Sequence, residues 1–228
     1  MTKHVLITGG SDGIGKLTAK KLLEAKYKVT ILSHDADKTK TVANELGCQF
    51  VVADVSVGEA AAEAVQEAES QNGAVDILIN NAGIWLSRLI DEVTPDEMRH
   101  VIEVNTLGTM YYTQAVSVGM KQRGHGRIIN VNSQAGIYAH AKRSVYHASK
   151  WAITGFTKAL QEELREFGVA VTGFYPGAMN TQLFAKAQDM KDRSAALDPH
   201  AAADSLLYLC NLPDNVEIPE FGLKSLTY

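Results

Sequence analysis

Thr8-Gly9-Gly10-Ser11-Asp12-Gly13-Ile14-Gly15 stands between two segments of different periodicity. Before it lies a short run with Val5-Leu6-Ile7 at its centre, and after it Ile14, Leu17, Leu22 and Leu23 recur at helical spacing. A strand that turns through glycines into a helix leaves the first helical N–H groups and the positive end of the helix dipole facing the turn. Glycines let an anion approach the backbone with no Cβ in the way. The spacing Gly-x-x-x-Gly-x-Gly is not the GxGxxG of the standard fingerprint, and a glycine-rich turn also has a purely structural explanation. The strand-turn-helix context nevertheless fits a dinucleotide's pyrophosphate.

Outward from this turn, short apolar runs at 4–8, 28–33, 49–53, 77–80, 127–132 and 170–175 alternate with longer segments of helical period at 13–25, 36–46, 57–71, 95–122, 144–166 and 199–211. The long 95–122 segment is expected to break near Gly108 and Gly119. Strands that are apolar throughout and separated by helices predict a parallel sheet covered on both faces, a doubly wound α/β fold. Ligands of such sheets bind outside the carboxyl ends of the strands, so residues just past each strand are the candidates for chemistry. The least patterned stretch, 178–199, is expected to be a flexible substrate loop.

The bulk numbers exclude other classes. The 228 residues carry 22 Lys and Arg against 26 Asp and Glu, a net charge of -4 with no basic stripe, which argues against a nucleic-acid partner. Cys48 and Cys210 lack metal-ligand or CxxC spacing and read as reduced thiols. No His/Cys/Asp cluster has the spacing of a metal site. Met1-Thr2-Lys3-His4 leads straight into the first strand with no signal-like or membrane-spanning run, so a cytoplasmic protein with no membrane partner is expected. The length suits a single domain over 1–228.

In Ser144-Val145-Tyr146-His147-Ala148-Ser149-Lys150, a tyrosine and a lysine four apart at the start of a helix point from one face. Carbonyl reduction needs a proton donor that can reversibly become an anion. A neighbouring ammonium, with the positive charge of an oxidised nicotinamide, is expected to lower the phenol pKa from its usual value near 10. The bare spacing also describes an ordinary helix surface, but it has company. The run 127–132 presents the Ser133 hydroxyl at the carboxyl edge, where it can donate to a substrate oxygen. Asn105 reads as the anchor of a relay water or as a buried, helix-kinking Asn bonded to backbone.

The second strand ends in Ser33-His34-Asp35. Ser33 stands where an acid would bind an adenosine ribose, and His34 can donate to a 2′-phosphate, so NADP(H) is favoured with NAD(H) as the alternative. Asp12 and Asp35 lie close enough in sequence to oppose a phosphate.

Together these elements resemble the short-chain dehydrogenase/reductase family over nearly the whole length. TGxxxGxG is met by Thr8, Gly9, Gly13 and Gly15, and the acid after the third strand by Asp54-Val55. NNAG is met by Asn80-Asn81-Ala82-Gly83, the helix asparagine by Asn105, the serine by Ser133, and YxxxK by Tyr146 and Lys150. Pro176-Gly177 followed by Thr181 resembles the turn on the nicotinamide side. The resemblance implies a Rossmann-type sheet of six to seven strands. It also implies an NAD(P)-dependent oxidoreductase acting on a small carbonyl/alcohol substrate, assembled as a homodimer or homotetramer. By the same resemblance Tyr146 is the general acid/base, Lys150 lowers its pKa and holds the nicotinamide ribose, Ser133 orients the substrate oxygen and Asn105 anchors a relay water. Ser11, Asp12 and Ile14 complete the phosphate cradle, Ser33 and His34 the ribose end, and Asn81, Ala82 and Gly83 the wall between.

Two rival readings are an NADP-binding regulatory or redox-sensing protein of this fold, and a nucleotide-sugar epimerase, for which the chain has no room for the usual extra domain. A last, abbreviated strand is expected near 222–226. His147 is expected to be structural or at the surface, and Trp85 to line the entrance or the core. Tyr111 and Tyr112 are expected either at a subunit interface or packed within the chain. Arg88, Lys142 and Arg143 are the cations able to meet an acidic group.

Overall fold

The computed structural model describes residues 2–179, Leu183 and residues 196–226. Among the described residues the seven strands are β1 (His4–Thr8), β2 (Lys28–Ser33), β3 (Gln49–Val52), β4 (Ile77–Asn80), β5 (Gly126–Val131), β6 (Val169–Pro176) and β7 (Glu220–Leu223). They form one sheet in the order β3-β2-β1-β4-β5-β6-β7, every pair parallel. The α-helices described are α1 (Gly13–Glu24), α2 (Ala36–Leu46), α3 (Glu59–Asn72), α4 (Pro95–Ile102), α5 (Gly108–Arg123), α6 (Ser144–Arg165) and α7 (Pro199–Cys210).

Successive strand residues point to opposite faces, and both faces are apolar because both are covered. Val5, Ile7, Val29, Ile31, Ile77, Ile79 and Ile129 pack under α1, α2 and α7 with Leu22, Val42 and Leu206. Leu6, Leu32, Leu78, Ile128 and Val171 face the other way, against Val65 of α3, Tyr112 and Val116 of α5, and Leu160 and Leu164 of α6. This is the Rossmann-type doubly wound sheet that the alternating pattern predicts. Tyr112 is fully buried within the chain, and Tyr111 lies against Gly58.

The break expected near Gly108 is present, and two other expectations need correction. The 95–122 segment breaks as a π-helical turn over Glu103–Leu107, just before Gly108, and α5 then runs through Gly119 unbroken. An isolated glycine lowers helix propensity by only about 1 kcal/mol, which packing easily offsets. The last strand is Glu220–Leu223 rather than 222–226, registered on Gly173–Pro176 of β6. Its position follows from the segment before it. The buried Arg127 donates to the carbonyls of Pro213 (2.9 Å) and Val216 (3.0 Å), and Glu217 accepts from the Val171 N–H (2.9 Å), fixing where the chain rejoins the sheet.

A buried polar chain ties the sheet to the helices beneath the site. Asn80 of β4 donates to Asn130 of β5 and Thr113 of α5, both at 2.9 Å, and Asn130 donates to Thr157 of α6 at 2.9 Å. Asn130 is fully buried. Asn130→Ala removes one member and leaves its partners unsatisfied, so it is expected to cost about 1–3 kcal/mol in urea unfolding. An unchanged unfolding midpoint would show that this chain does not stabilise the fold.

Candidate active site

Connections from β1 run outward to β2 and β3, whereas β4 leads the other way to β5, β6 and β7, so a crevice opens between β1 and β4 at their carboxyl ends. The cleft there has a volume of about 1100 Å³. The Thr8 hydroxyl spans its floor, accepting from the N–H groups of Asn81 (3.0 Å) and Ala82 (3.1 Å), while the Asn81 amide donates back to the carbonyls of Thr8 (3.0 Å) and Gly9 (3.1 Å). Gly9 sits at φ +64°, and a Cβ there would fall 2.9 Å from the Ala82 Cα. A Cβ on Gly15 would fall 2.4 Å from the Gly9 carbonyl oxygen. These two glycines are therefore required by the tight contact between turn and β4.

At the start of α1, Asp12 caps the helix by accepting from the Gly13 N–H (2.8 Å), with Ser11, Gly13 and Ile14 beside it on the cleft wall. Asp12 is not a bare negative charge, because Lys38 Nζ lies 2.6 Å from its carboxylate. Nothing in a separation of 26 residues signals that pair. Ser33 and His34 border the same end, facing Asp54 and Val55 across it. Burial of Asp54 raises its pKa, but hydrogen bonds from the Ser56 N–H and hydroxyl, with His34 and His100 nearby, outweigh burial and hold the carboxyl below its usual range. Asp35 caps α2, accepting from the Lys38 N–H (3.0 Å), and does not line the cleft.

At the other end α6 brings Tyr146 and Lys150 to one wall, and β5 delivers Ser133 opposite. The Ser133 hydroxyl accepts from the Ala135 N–H (3.1 Å) and stands close enough to the Tyr146 phenol to favour its anion. Lys150 Nζ donates to the Val131 carbonyl (3.3 Å) and lies 5.9 Å from the Tyr146 ring centroid. The Trp85 indole packs edge-on against Tyr146 with centroids 4.5 Å apart, and the Arg143 guanidinium lies 4.9 Å over the indole. Pro176 and Gly177 close the wall at the end of β6.

The electrostatics differ from the expected lowering of the phenol. Burial pushes Tyr146 up to about 12, opposed by the Ser133 hydrogen bond and the charge of Arg143. Burial also brings Lys150 down to about 8. Removing both groups from water disfavours the charged form of each, and this outweighs what the ammonium does for the phenol.

Of the residues chosen from sequence, Gly9, Ser11, Asp12, Gly13, Ile14, Ser33, His34, Asp54, Val55, Asn81, Ala82, Gly83, Ser133, Tyr146, Lys150, Pro176 and Gly177 line this one cleft. Thr8 and Gly15 stand beneath its surface and shape it. Asn105 also lies behind the wall, 1% exposed. Its amide accepts from the Ile84 N–H (2.7 Å) and donates to the Ile84 carbonyl (3.0 Å) and Ser149 hydroxyl (3.1 Å), so it pins the segment after β4 to the π turn. Thr181 and most of 178–199 lie outside the described residues. His147 is buried: Nδ1 donates to the Ala135 carbonyl (2.8 Å) and Nε2 accepts from the His140 N–H (3.0 Å), which holds the segment carrying Tyr138 and His140 along the cleft. Gln134, Tyr138 and His140 also line the cleft, and sequence reasoning missed His100 and Lys224, since neither sits in a motif. Among the described residues there is no cluster able to hold a metal ion and no helix long and apolar enough to cross a membrane.

Comparison with known proteins agrees with this geometry. The family model described as short chain dehydrogenase matches residues 3–192. An oxidoreductase of Staphylococcus aureus (strain N315) is 34% identical over 225 residues, covering 97% of this chain and 96% of its own. One from Staphylococcus saprophyticus is 33% identical, covering 97% of each. Among solved structures, the closed form of a serine dehydrogenase complexed with NADP+ superposes with a TM-score of 0.92 at 27% identity, over 99% of this chain and 96% of that one. An alcohol dehydrogenase from Thermococcus sibiricus complexed with 5-hydroxy-NADP gives a TM-score of 0.91 at 26% identity, over 100% and 98%. With its sheet order, its glycine turn and these relatives in agreement, the chain belongs to the short-chain dehydrogenase/reductase family of oxidoreductases.

Proposed function

We propose that the protein reduces a carbonyl, or oxidises the corresponding alcohol, using a nicotinamide coenzyme, with Tyr146 as the general acid/base. The observation that carries this is the convergence of Ser133, Tyr146 and Lys150 at one end of a cleft whose other end is the glycine turn, Ser33 and His34. The cleft fits a dinucleotide: the start of α1 offers backbone N–H groups to a pyrophosphate, and the Gly9 and Gly83 positions leave its wall free of Cβ atoms. When bound, the coenzyme supplies or accepts the hydride.

The chain's own residues do the rest. The phenol, raised to about 12, is protonated at neutral pH and therefore set to donate to a carbonyl oxygen as negative charge grows there. Ser133, beside that phenol on the cleft, offers a second donor to the same oxygen. Lys150, charged below about pH 8, favours the phenolate left after donation. Trp85 and burial exclude water from the phenol. Asn105 acts as a positioning residue through Ile84 and Ser149.

NADP(H) is the preferred coenzyme in this proposal. Ser33 supplies no charge to repel a 2′-phosphate, His34 stands beside it, and Lys38 neutralises Asp12. The serine dehydrogenase and alcohol dehydrogenase neighbours were solved with NADP-type ligands, which supports the same choice.

Tyr146→Phe is expected to lower carbonyl-dependent NADPH oxidation by about 10²–10⁴-fold while fluorescence titration finds NADPH affinity retained; substantial remaining turnover would sink the acid/base role. In the reductive direction kcat/KM is expected to be level up to about pH 8 and to fall above it as Lys150 loses its proton, because the protonated phenol persists well beyond that point. A profile that rises between pH 8 and 10 contradicts the assignment. Folding lowers the Lys150 pKa, so the ammonium costs stability below about pH 8 and the cost fades as pH climbs toward the ordinary lysine value of 10.5. Lys150→Met is therefore expected to abolish turnover yet raise urea stability at pH 7, on the order of 1–3 kcal/mol. NADPH is expected to bind about tenfold more tightly than NADH, one well-placed charge interaction's worth; equal affinities would remove the coenzyme preference.

A further inference from the structure

The cations near the substrate end are sorted by their surroundings. Arg88 is spent on Glu97, with Nη1 2.8 Å from the carboxylate, and Lys142 does not border the cleft. Arg143 does border it and has no carboxylate partner among the described residues. Its guanidinium lies over the Trp85 ring, and that same indole packs against Tyr146. A guanidinium held over an aromatic face by cation–π attraction still has N–H donors to offer a planar, two-pronged acceptor. One indole therefore separates a preorganised carboxylate receptor from the phenol.

Among the described residues the charge around it has one sign. Lys224 enters the same part of the cleft from just past β7, its backbone within van der Waals reach of a Cβ placed on Gly177. The described carboxylates lining the cleft are Asp12 and Asp54, and both belong to the opposite end, by the glycine turn and His34. Among the described residues no carboxylate beside Tyr146 repels a negative substrate, and an uncharged one leaves Arg143 without a described anion in a partly enclosed site.

We infer that the substrate carries a carboxylate a few carbons from its reacting carbonyl or alcohol carbon, and that Arg143 is the residue that selects it. This rests on the reductase function proposed above. Arg143 holds the acid group while Tyr146 and Ser133 address the reacting oxygen, so the substrate spans the indole of Trp85.

The test compares 4-oxobutanoate with butanal as substrates of the whole protein with NADPH. The wild type is expected to favour 4-oxobutanoate by at least about tenfold in kcat/KM, the difference lying mainly in KM. Arg143→Met is expected to remove that preference by raising KM for the acid, and Arg143→Lys to restore part of it, since a lysine keeps the charge without the fork. No preference in the wild type overturns the inference. So does an Arg143→Met variant that loses both substrates and NADPH affinity together, because Arg143 would then be serving the coenzyme or the fold. If neither compound is turned over, the reductase function fails on its own, and tryptophan fluorescence decides the rest. Butanoate binding that exceeds butanamide binding and vanishes in Arg143→Met supports the carboxylate receptor, and its absence overturns it.

Discussion

The Thr8 hydroxyl, accepting from the backbone of Asn81 and Ala82, joins the two strands whose connections leave in opposite directions. At that junction no crossover covers the carboxyl ends, and without a tie the glycine turn and the segment after β4 would be free to part. The Asn81 amide completes the tie from the other side, returning hydrogen bonds to the Thr8 and Gly9 carbonyls. The cleft, the start of α1 and the approach to Tyr146 all take their positions from it. Residues that look like ligand contacts in a motif can thus be the carpentry that makes a contact surface available.

Burial supplies the chemical character of the far end. Tyr146 and Lys150 are both almost withdrawn from water, and each is driven toward its neutral form. The cost is offset by the surrounding fold: the covered sheet, the Asn80–Asn130 chain beneath it, and the Ser133 and Val131 contacts at the groups themselves. A phenol and an ammonium held this way change charge readily when a neighbouring charge appears, which is the property an acid/base pair needs. The charge of Arg143 acts on the same phenol, so the residue proposed to meet the substrate also bears on the proposed proton donor.

The sequence by itself determined the strand and helix order, because a sheet covered on both faces demands unbroken apolar runs and its helices demand their own period. Residues 28–33, 36–46 and 77–80 are legible to the residue for that reason. Motif spacing likewise brings out the glycine turn, Ser133 and the Tyr146–Lys150 pair, since each is local or set by one helical turn. The tertiary structure alone decided what depends on contacts between distant segments. Lys38 meeting Asp12, the commitment of Asn105 to Ile84, the strand β7 anchored by Arg127, and the stacking of Arg143 on Trp85 leave no periodic trace. The raised phenol belongs with them: a pKa follows from how much water is excluded and which charges remain close, and both are properties of the packed molecule rather than of the chain.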